Sequence, residues 1–429
     1  VTIDFQESGV EALVEGSSPV AIDGPAGPVS SALADAPVVL PVVGVASPTP
    51  ITRSARLRQF ARPSLYYLLS RIVVLFAALA AKWMVPRLNP FKALTTGWDG
   101  YWYNLIAQHG YPSQIFNENH GSRWAFFPAY PAVIRATVDV TGLSYGGATF
   151  LLTLILGLTA TLAIWLAVRQ VFGTVVADRS VLLFVFFPAT YVLSMAYTEG
   201  LFLTAAAGCL YALSKKYWVT ASLFAVLASL TRSFGVVLIV CVVVTAVPII
   251  LKERKIRPLV AIAIAPVGFL GWLAYSWAIV GNPLAFVSAE KIWSDSHFVW
   301  FLTPLIACER LLTNVHSWAN GQFVLTALAV VFAYGGFFLL AKAKDRGVSV
   351  PFYWWVFTIG SIMGMMSASE PASVLRYSLG IIPLFAAYAW RMKAAWEGPV
   401  VGVLAMSQGV LAVIVIVGTL HPHTATIWP

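Results

Sequence analysis

Long apolar runs separated by short polar breaks fill the chain from about residue 64 onward. A helix that crosses a bilayer needs about 20 apolar residues. Candidate runs lie at 64–85, 126–140, 147–168, 180–196, 198–214, 217–231, 233–251, 258–280, 321–341, 351–368, 374–390 and 399–420. The pattern predicts an all-α polytopic membrane protein, a bundle of about 10–12 membrane helices. The run 126–140 is short and carries Pro128, Pro131, Arg135 and Asp139. Two readings stay open: this run is re-entrant or interfacial, or one of the short segments between 180 and 251 does not cross.

Charge supplies orientation. Basic clusters at Arg53 to Arg62, Lys215-Lys216, Lys252 to Arg257, Lys342 to Arg346, and Arg391 with Lys393 sit between the runs. Such clusters hold their flanks in the cytoplasm. The stretches 86–125 and 281–320 then face outward as a large first and a second external loop. They hold five of the 12 acids found after residue 52 and four of the six histidines. The titratable chemistry therefore gathers on one face, directed at the periplasm or outside of a plasma (inner) membrane.

Composition agrees. The chain is 59% hydrophobic and 10% charged, with mean hydropathy +0.80, where a soluble domain carries about 25% charged residues. A water-exposed globule is excluded. The net charge of +9 is split, because residues 1–52 hold six acids and no Lys or Arg. That segment, broken by seven prolines, is expected to be a disordered cytoplasmic tail, followed by a membrane domain over 53–429. The bases read as topology determinants, so no nucleic-acid partner is expected. Three cysteines without metal-ligand spacing give neither a disulfide framework nor a zinc site.

Five constellations carry candidate chemistry. The first is Trp98-Asp99-Gly100-Tyr101-Trp102-Tyr103, continuing to His109-Gly110-Tyr111. Its aromatic and aliphatic stripe predicts an interfacial helix with rings at headgroup depth. Asp99 opens that helix, and a helix-capping carboxylate is the competing reading. The second is Arg123-Trp124-Ala125-Phe126-Phe127-Pro128-Ala129-Tyr130-Pro131, a bent chain entry or simply a helix start. The third runs from Phe187-Pro188 through Tyr197-Thr198-Glu199-Gly200, placing an acid between two apolar runs, where an ionisable group is costly and a functional candidate. Arg232 interrupts about 35 apolar residues and can alternatively snorkel from a helix end. Arg376 follows an outward loop, where pairing with Glu370 is the bland alternative.

Taken in order, WDGYWYNLIAQHGY, WAFFPAYP, FPATYVLSMAYTEGLF, ASLTRSFG and VLRYSLGIIPLF resemble the PIG-V-like mannosyltransferases over roughly 64–391. These belong to the GT-C superfamily of membrane glycosyltransferases. The resemblance implies a GT-C-type bundle whose first external loop carries the catalytic carboxylate, here Asp99 of the WD pair. It implies a polyprenyl-phosphate-mannose donor and a glycolipid or glycan acceptor. Relatives often carry an acid before the FFP block, for which Glu118 is a loose match. The acceptor does not carry over.

The chemistry fits. A phosphate leaving group needs little protonation, unlike a glycosidic bond with its pair of carboxylates. A single inverting displacement with Asp99 as general base suffices. Arg123, Arg232, Lys291 and Arg376 are the cations available to the departing phosphate. Trp98, Tyr103, His109, Tyr111, Glu118, Tyr130, Tyr197 and Glu199 complete the expected substrate site. No DxD pair is present, so no metal or other cofactor is expected. The rivals are a GT-C transferase for another sugar, a lipid or sugar transporter, and a noncatalytic subunit. No convincing repeat relates the halves as in many transporters, and an intact WD block argues against the subunit.

Overall fold

The computed structural model describes residues 58–116, 121–293, 299–313, 321–367 and 373–420. All lie in the unit Arg53–Pro429. The expected tail 1–52 and the candidates Glu118 and Glu370 fall outside the described residues.

The described residues form α-helices and short 3-10 turns. Helix α1 (Ala61–Met84) illustrates how the bundle is made. Its inward face carries Tyr67, Ser70, Arg71, Val74, Ala77, Ala78 and Ala81, while Leu68, Ile72, Leu75, Phe76 and Leu79 are exposed. The small residues Ser70, Ala77, Ala78 and Ala81 allow the close approach that helix packing in lipid favours. Gly157, on the helix Tyr145–Phe172, follows the same logic: a Cβ there would stand 2.5 Å from the Tyr67 hydroxyl oxygen.

Helices α2 (Pro90–Thr96), α3 (Asp99–His109) and α4 (Ala129–Thr141) occupy the first expected loop and the run after it. Beyond them come α5 (Tyr145–Phe172), α6 (Thr174–Phe186), α7 (Glu199–Ser214), α8 (Trp218–Ser229) and α9 (Val236–Glu253). The next are α10 (Arg257–Ile264), α11 (Val267–Val280), α12 (Ala285–Trp293) and α13 (Thr303–Thr313). The chain closes with α14 (Gly321–Asp345), α15 (Phe352–Met365), α16 (Val374–Ser378), α17 (Ile382–Arg391) and α18 (Ala394–Gly418).

Six segments among the described residues are long and apolar enough to cross a membrane: 61–84, 145–172, 233–253, 257–280, 321–345 and 394–418. Helices α7, α8 and α15 are shorter apolar helices. Helix α4 has only 13 residues, with an exposed Arg135–Asp139 ion pair and Val140 85% exposed. Its length favours the noncrossing reading of 126–140.

The run 180–196 bends by 79° where α6 meets the 3-10 turn Pro188–Ser194. Irregular backbone at such depth needs protein partners for its polar groups. Buried Arg71 donates to the Thr190 carbonyl at 3.0 Å and the Ser194 hydroxyl at 2.8 Å. From α18, Gln408 donates to the Val185 carbonyl at 2.9 Å and the Thr190 hydroxyl at 2.7 Å. The bend delivers Tyr197 and Glu199 to one end of the bundle.

Candidate active site

The WDG tripeptide fixes the first carboxylate. Trp98 has φ 52°, a costly conformation for a bulky residue. Its indole N–H donates to the Val415 carbonyl of α18 at 3.0 Å, which ties the strained turn to that long helix. At Gly100 a Cβ would stand 2.7 Å from the Ala196 Cβ, so glycine permits the start of α3 to press against the chain leading into α7. The Ala196 N–H donates to the Leu94 carbonyl at 2.8 Å and locks that contact. One turn along α3, Asn104 donates to the Thr95 and Gly100 carbonyls and accepts from the Thr149 hydroxyl.

Asp99 is thereby aimed at α16. It makes no cap; its Oδ2 accepts from Arg376 Nη1 at 2.9 Å. The Arg376 Nε lies 3.4 Å from Glu199 Oε1, and that oxygen also accepts from Arg232 Nη1. Four charges thus run in alternation: Asp99, Arg376, Glu199, Arg232. Glu199 is 3% and Arg376 8% exposed, whereas Asp99 at 31% opens to solvent. Arg232 stands at the break between α8 and the 3-10 entry to α9, half-buried and paired with Glu199 rather than snorkelling.

Aromatic faces support the cations. The Arg376 guanidinium lies 4.7 Å from the Tyr197 ring centre and 5.2 Å from that of Tyr377, and Arg232 lies 5.0 Å from Tyr377. Tyr103 and Tyr130 pack edge to face at 5.1 Å behind Asp99. Of the α3 stripe, Tyr103 and Ile106 are buried in protein, while the neighbouring Tyr101 is exposed.

A buried charge network is rarely the most stable filling of a core. This one also leaves the Glu199 Oε2 and the Tyr197 hydroxyl buried without hydrogen-bond partners among the described residues. Such orphaned atoms are uncommon and call for a reason. A cleft of about 20 Å³, bordered by Glu199, Arg232, Phe234, Arg376 and Tyr377, runs beside the network. Among the described residues, no three His, Cys, Asp or Glu side chains gather in a metal-binding group.

Glu290 joins from the second loop. Helix α12 packs Ala285 and Ala289 against Trp124, Phe127 and Trp272, leaving Glu290 open to solvent. Partial desolvation by the surrounding protein, followed by the negative charge of Asp99, raises its carboxyl pKa above the ordinary value, against the opposing pull of Arg232 and Arg376.

The structure therefore gathers Asp99, Tyr103, Tyr130, Tyr197, Glu199, Arg232 and Arg376. Other expected residues stand apart. His109 is exposed at the far end of α3, about 15 Å along the helix from Asp99. Tyr111 donates to the Phe126 carbonyl at 2.8 Å and packs on Trp124 and Trp272. Arg123 donates to the Gly110 carbonyl at 2.8 Å. Both tie loop segments together, as Trp98 does. Lys291 is exposed on α12 beside Glu290. Tyr377 and Glu290 were absent from the sequence-based set. The first adjoins Arg376 in the VLRYSLG block, and the second is one of the few loop acids, so both left a signal.

No protein-family model matches this chain, and no curated protein sequence does either. Among solved structures it is similar to ArnT from Cupriavidus metallidurans bound to undecaprenyl phosphate. The two are 14% identical over 82% of this chain and 77% of that one, with a TM-score of 0.49. It is also similar to the Archaeoglobus fulgidus oligosaccharyltransferase tethered to an acceptor peptide, at 12% identity and TM-score 0.44. The match covers 82% of this chain and 55% of that one, so this chain spans about half the length of the archaeal enzyme.

Proposed function

We propose that this chain is a GT-C-type, inverting mannosyltransferase. It would transfer mannose from polyprenyl-phosphate mannose to a lipid-linked or cell-envelope glycan acceptor at the outer face of the membrane. The observation that carries the reading is the Asp99–Arg376 contact. It puts a solvent-accessible carboxylate beside a buried guanidinium, the pairing needed where an acceptor hydroxyl loses a proton while a phosphate gains charge.

The step is one displacement. The acceptor oxygen attacks the anomeric carbon, its proton passes to Asp99, and the bond to the phosphate oxygen breaks with the electron pair leaving on polyprenyl phosphate. Asp99 keeps Oδ2 on Arg376 while Oδ1 has no hydrogen-bond partner among the described residues, leaving one oxygen available as base. A guanidinium carries five N–H donors. Arg376 and Arg232 therefore retain donors for phosphate oxygens after meeting the two acids. The four charges sum to zero before the donor arrives. The charge that builds on the departing phosphate is met by fixed cations in a water-poor site, where preorganised charge counts most. Glu290, whose carboxyl feels the charge of Asp99, is suited to accept hydrogen bonds from acceptor hydroxyls. No step calls for a metal.

The test supplies membranes containing the protein with labelled polyprenyl-phosphate mannose and, in parallel, polyprenyl-phosphate glucose and arabinofuranose. Label from the mannose donor alone should enter a lipid or glycan product. Transfer from another donor would replace the sugar assignment, and transfer from none would remove the glycosyltransferase reading.

A further inference from the structure

A second cavity, of about 340 Å³, lies between α6, α14, α17 and α18. Three rings close its deep end, with Phe187 4.9 Å from Phe332 and 5.3 Å from Phe385, and Phe332 5.0 Å from Phe385. Its walls include Leu183 and Leu404, and its polar rim is Arg391 at the end of α17. The cavity is separate from the Asp99 cluster. Helix α17 has ten residues, so Arg391 lies about 15 Å along it from the α16 end.

Chemistry narrows the occupant. Helices α14 and α18 are long and apolar enough to span a bilayer, and a cavity between such helices would face hydrocarbon. Water is disfavoured in a space with so little polar lining. Arg391 is exposed and has no carboxylate partner among the described residues. The nearby acid Glu397 is already held by Arg179 at 2.6 Å. Lys342 and Lys344 at the end of α14, with Lys393 after α17, make this end of the bundle basic. Basic pockets between membrane helices bind anionic lipid headgroups. Depth favours an ordinary acyl chain over a long isoprenoid. From Arg391 to the aromatic floor at Phe385 is roughly 10 Å of helix rise, inside the roughly 15 Å of one leaflet's hydrocarbon.

We propose that this cavity seats an acyl chain of an anionic glycerophospholipid whose phosphate is held by Arg391. The lipid fills the wedge between α14, α17 and α18 and acts at a site distinct from sugar transfer.

The experiment purifies the full chain in mild detergent with equimolar phosphatidylglycerol, phosphatidylcholine and undecaprenyl phosphate, and counts retained lipids by native mass spectrometry. Wild type should retain phosphatidylglycerol over phosphatidylcholine by about fivefold, the worth of one interfacial cation. Arg391→Gln should lose that preference, and Arg391→Lys should keep it. Leu404→Trp, which fills the cavity, should retain neither phospholipid while melting as a folded protein. Equal retention of the two phospholipids by wild type would overturn the proposal, as would an unchanged preference in Arg391→Gln. Displacement of phosphatidylglycerol by undecaprenyl phosphate would overturn it in favour of an isoprenoid occupant.

Discussion

Arg376 donates to Asp99 at 2.9 Å across 277 positions of sequence. The same side chain lies 3.4 Å from Glu199, so the two acids are coupled through one guanidinium. The loop at α3, the bent segment before α7 and the short α16 converge on that side chain. A planar fork suits this task, since it can hold two carboxylates and still offer donors to a third anion.

Replacing Arg376 by Gln should lower turnover per folded molecule, because the interaction strengthens as charge builds on the phosphate. Lys at this position keeps a charge and loses the fork, so rescue should be partial. Rates measured against the folded fraction from size-exclusion profiles decide the matter. Equal rates in wild type, Gln and Lys variants would take Arg376 out of the site.

Much of this centre is legible in the sequence. A lone Asp, Glu or Arg among apolar residues is conspicuous, and Asp99, Glu199, Arg232 and Arg376 stand out for that reason. Their pairing is not legible, because 33 to 277 positions separate the partners. Trp98 reads as part of a substrate site, yet its indole anchors α18 317 positions away. On α12 the sequence cannot rank Glu290 against Lys291. Only the folded chain brings the Glu290 carboxyl under the influence of Asp99, with Ala285 and Ala289 of the same helix packed on the aromatic cluster.

The raised pKa of Glu290 gives a pH test. Crowding and the charge of Asp99 keep its proton on to higher pH than for an ordinary carboxyl, so the ionised form appears late as pH rises. If the ionised form accepts from the acceptor, activity falls on the acid side as Glu290 takes up its proton. Glu290→Gln should move the acid limb of the pH–rate profile to lower pH and raise KM for the acceptor. An unmoved limb would leave Glu290 outside the reaction.

Tyr111 and His109 separate loop anchors from substrate contacts. Tyr111→Phe removes one hydrogen bond to the Phe126 carbonyl, a loss of about 1 kcal/mol, and should lower the melting temperature with turnover per folded molecule unchanged. His109→Ala should leave both unchanged. A tenfold fall in turnover for either variant would return that residue to the substrate site.

Sidedness is accessible to labelling. With Cys209, Cys241 and Cys308 replaced, a cysteine at His109 should react with an impermeant thiol reagent applied outside, and one at Lys344 should not. Both positions are exposed at the protein surface. Labelling at Lys344 alone would put the Asp99 face in the cytoplasm, where a nucleotide sugar becomes the natural donor.

The central claim is that Asp99 takes the acceptor proton, and its most direct test is the Asp99→Asn variant under single-turnover transfer from labelled polyprenyl-phosphate mannose. Asn keeps the size of the side chain and an oxygen for Arg376, while Trp98, Gly100 and Asn104 hold the loop independently. The variant should fold and bind donor as wild type does, and its transfer rate should fall by about 10²–10⁴-fold, the usual worth of a general base. A folded Asp99→Asn protein that keeps more than a tenth of the wild-type rate would contradict the account.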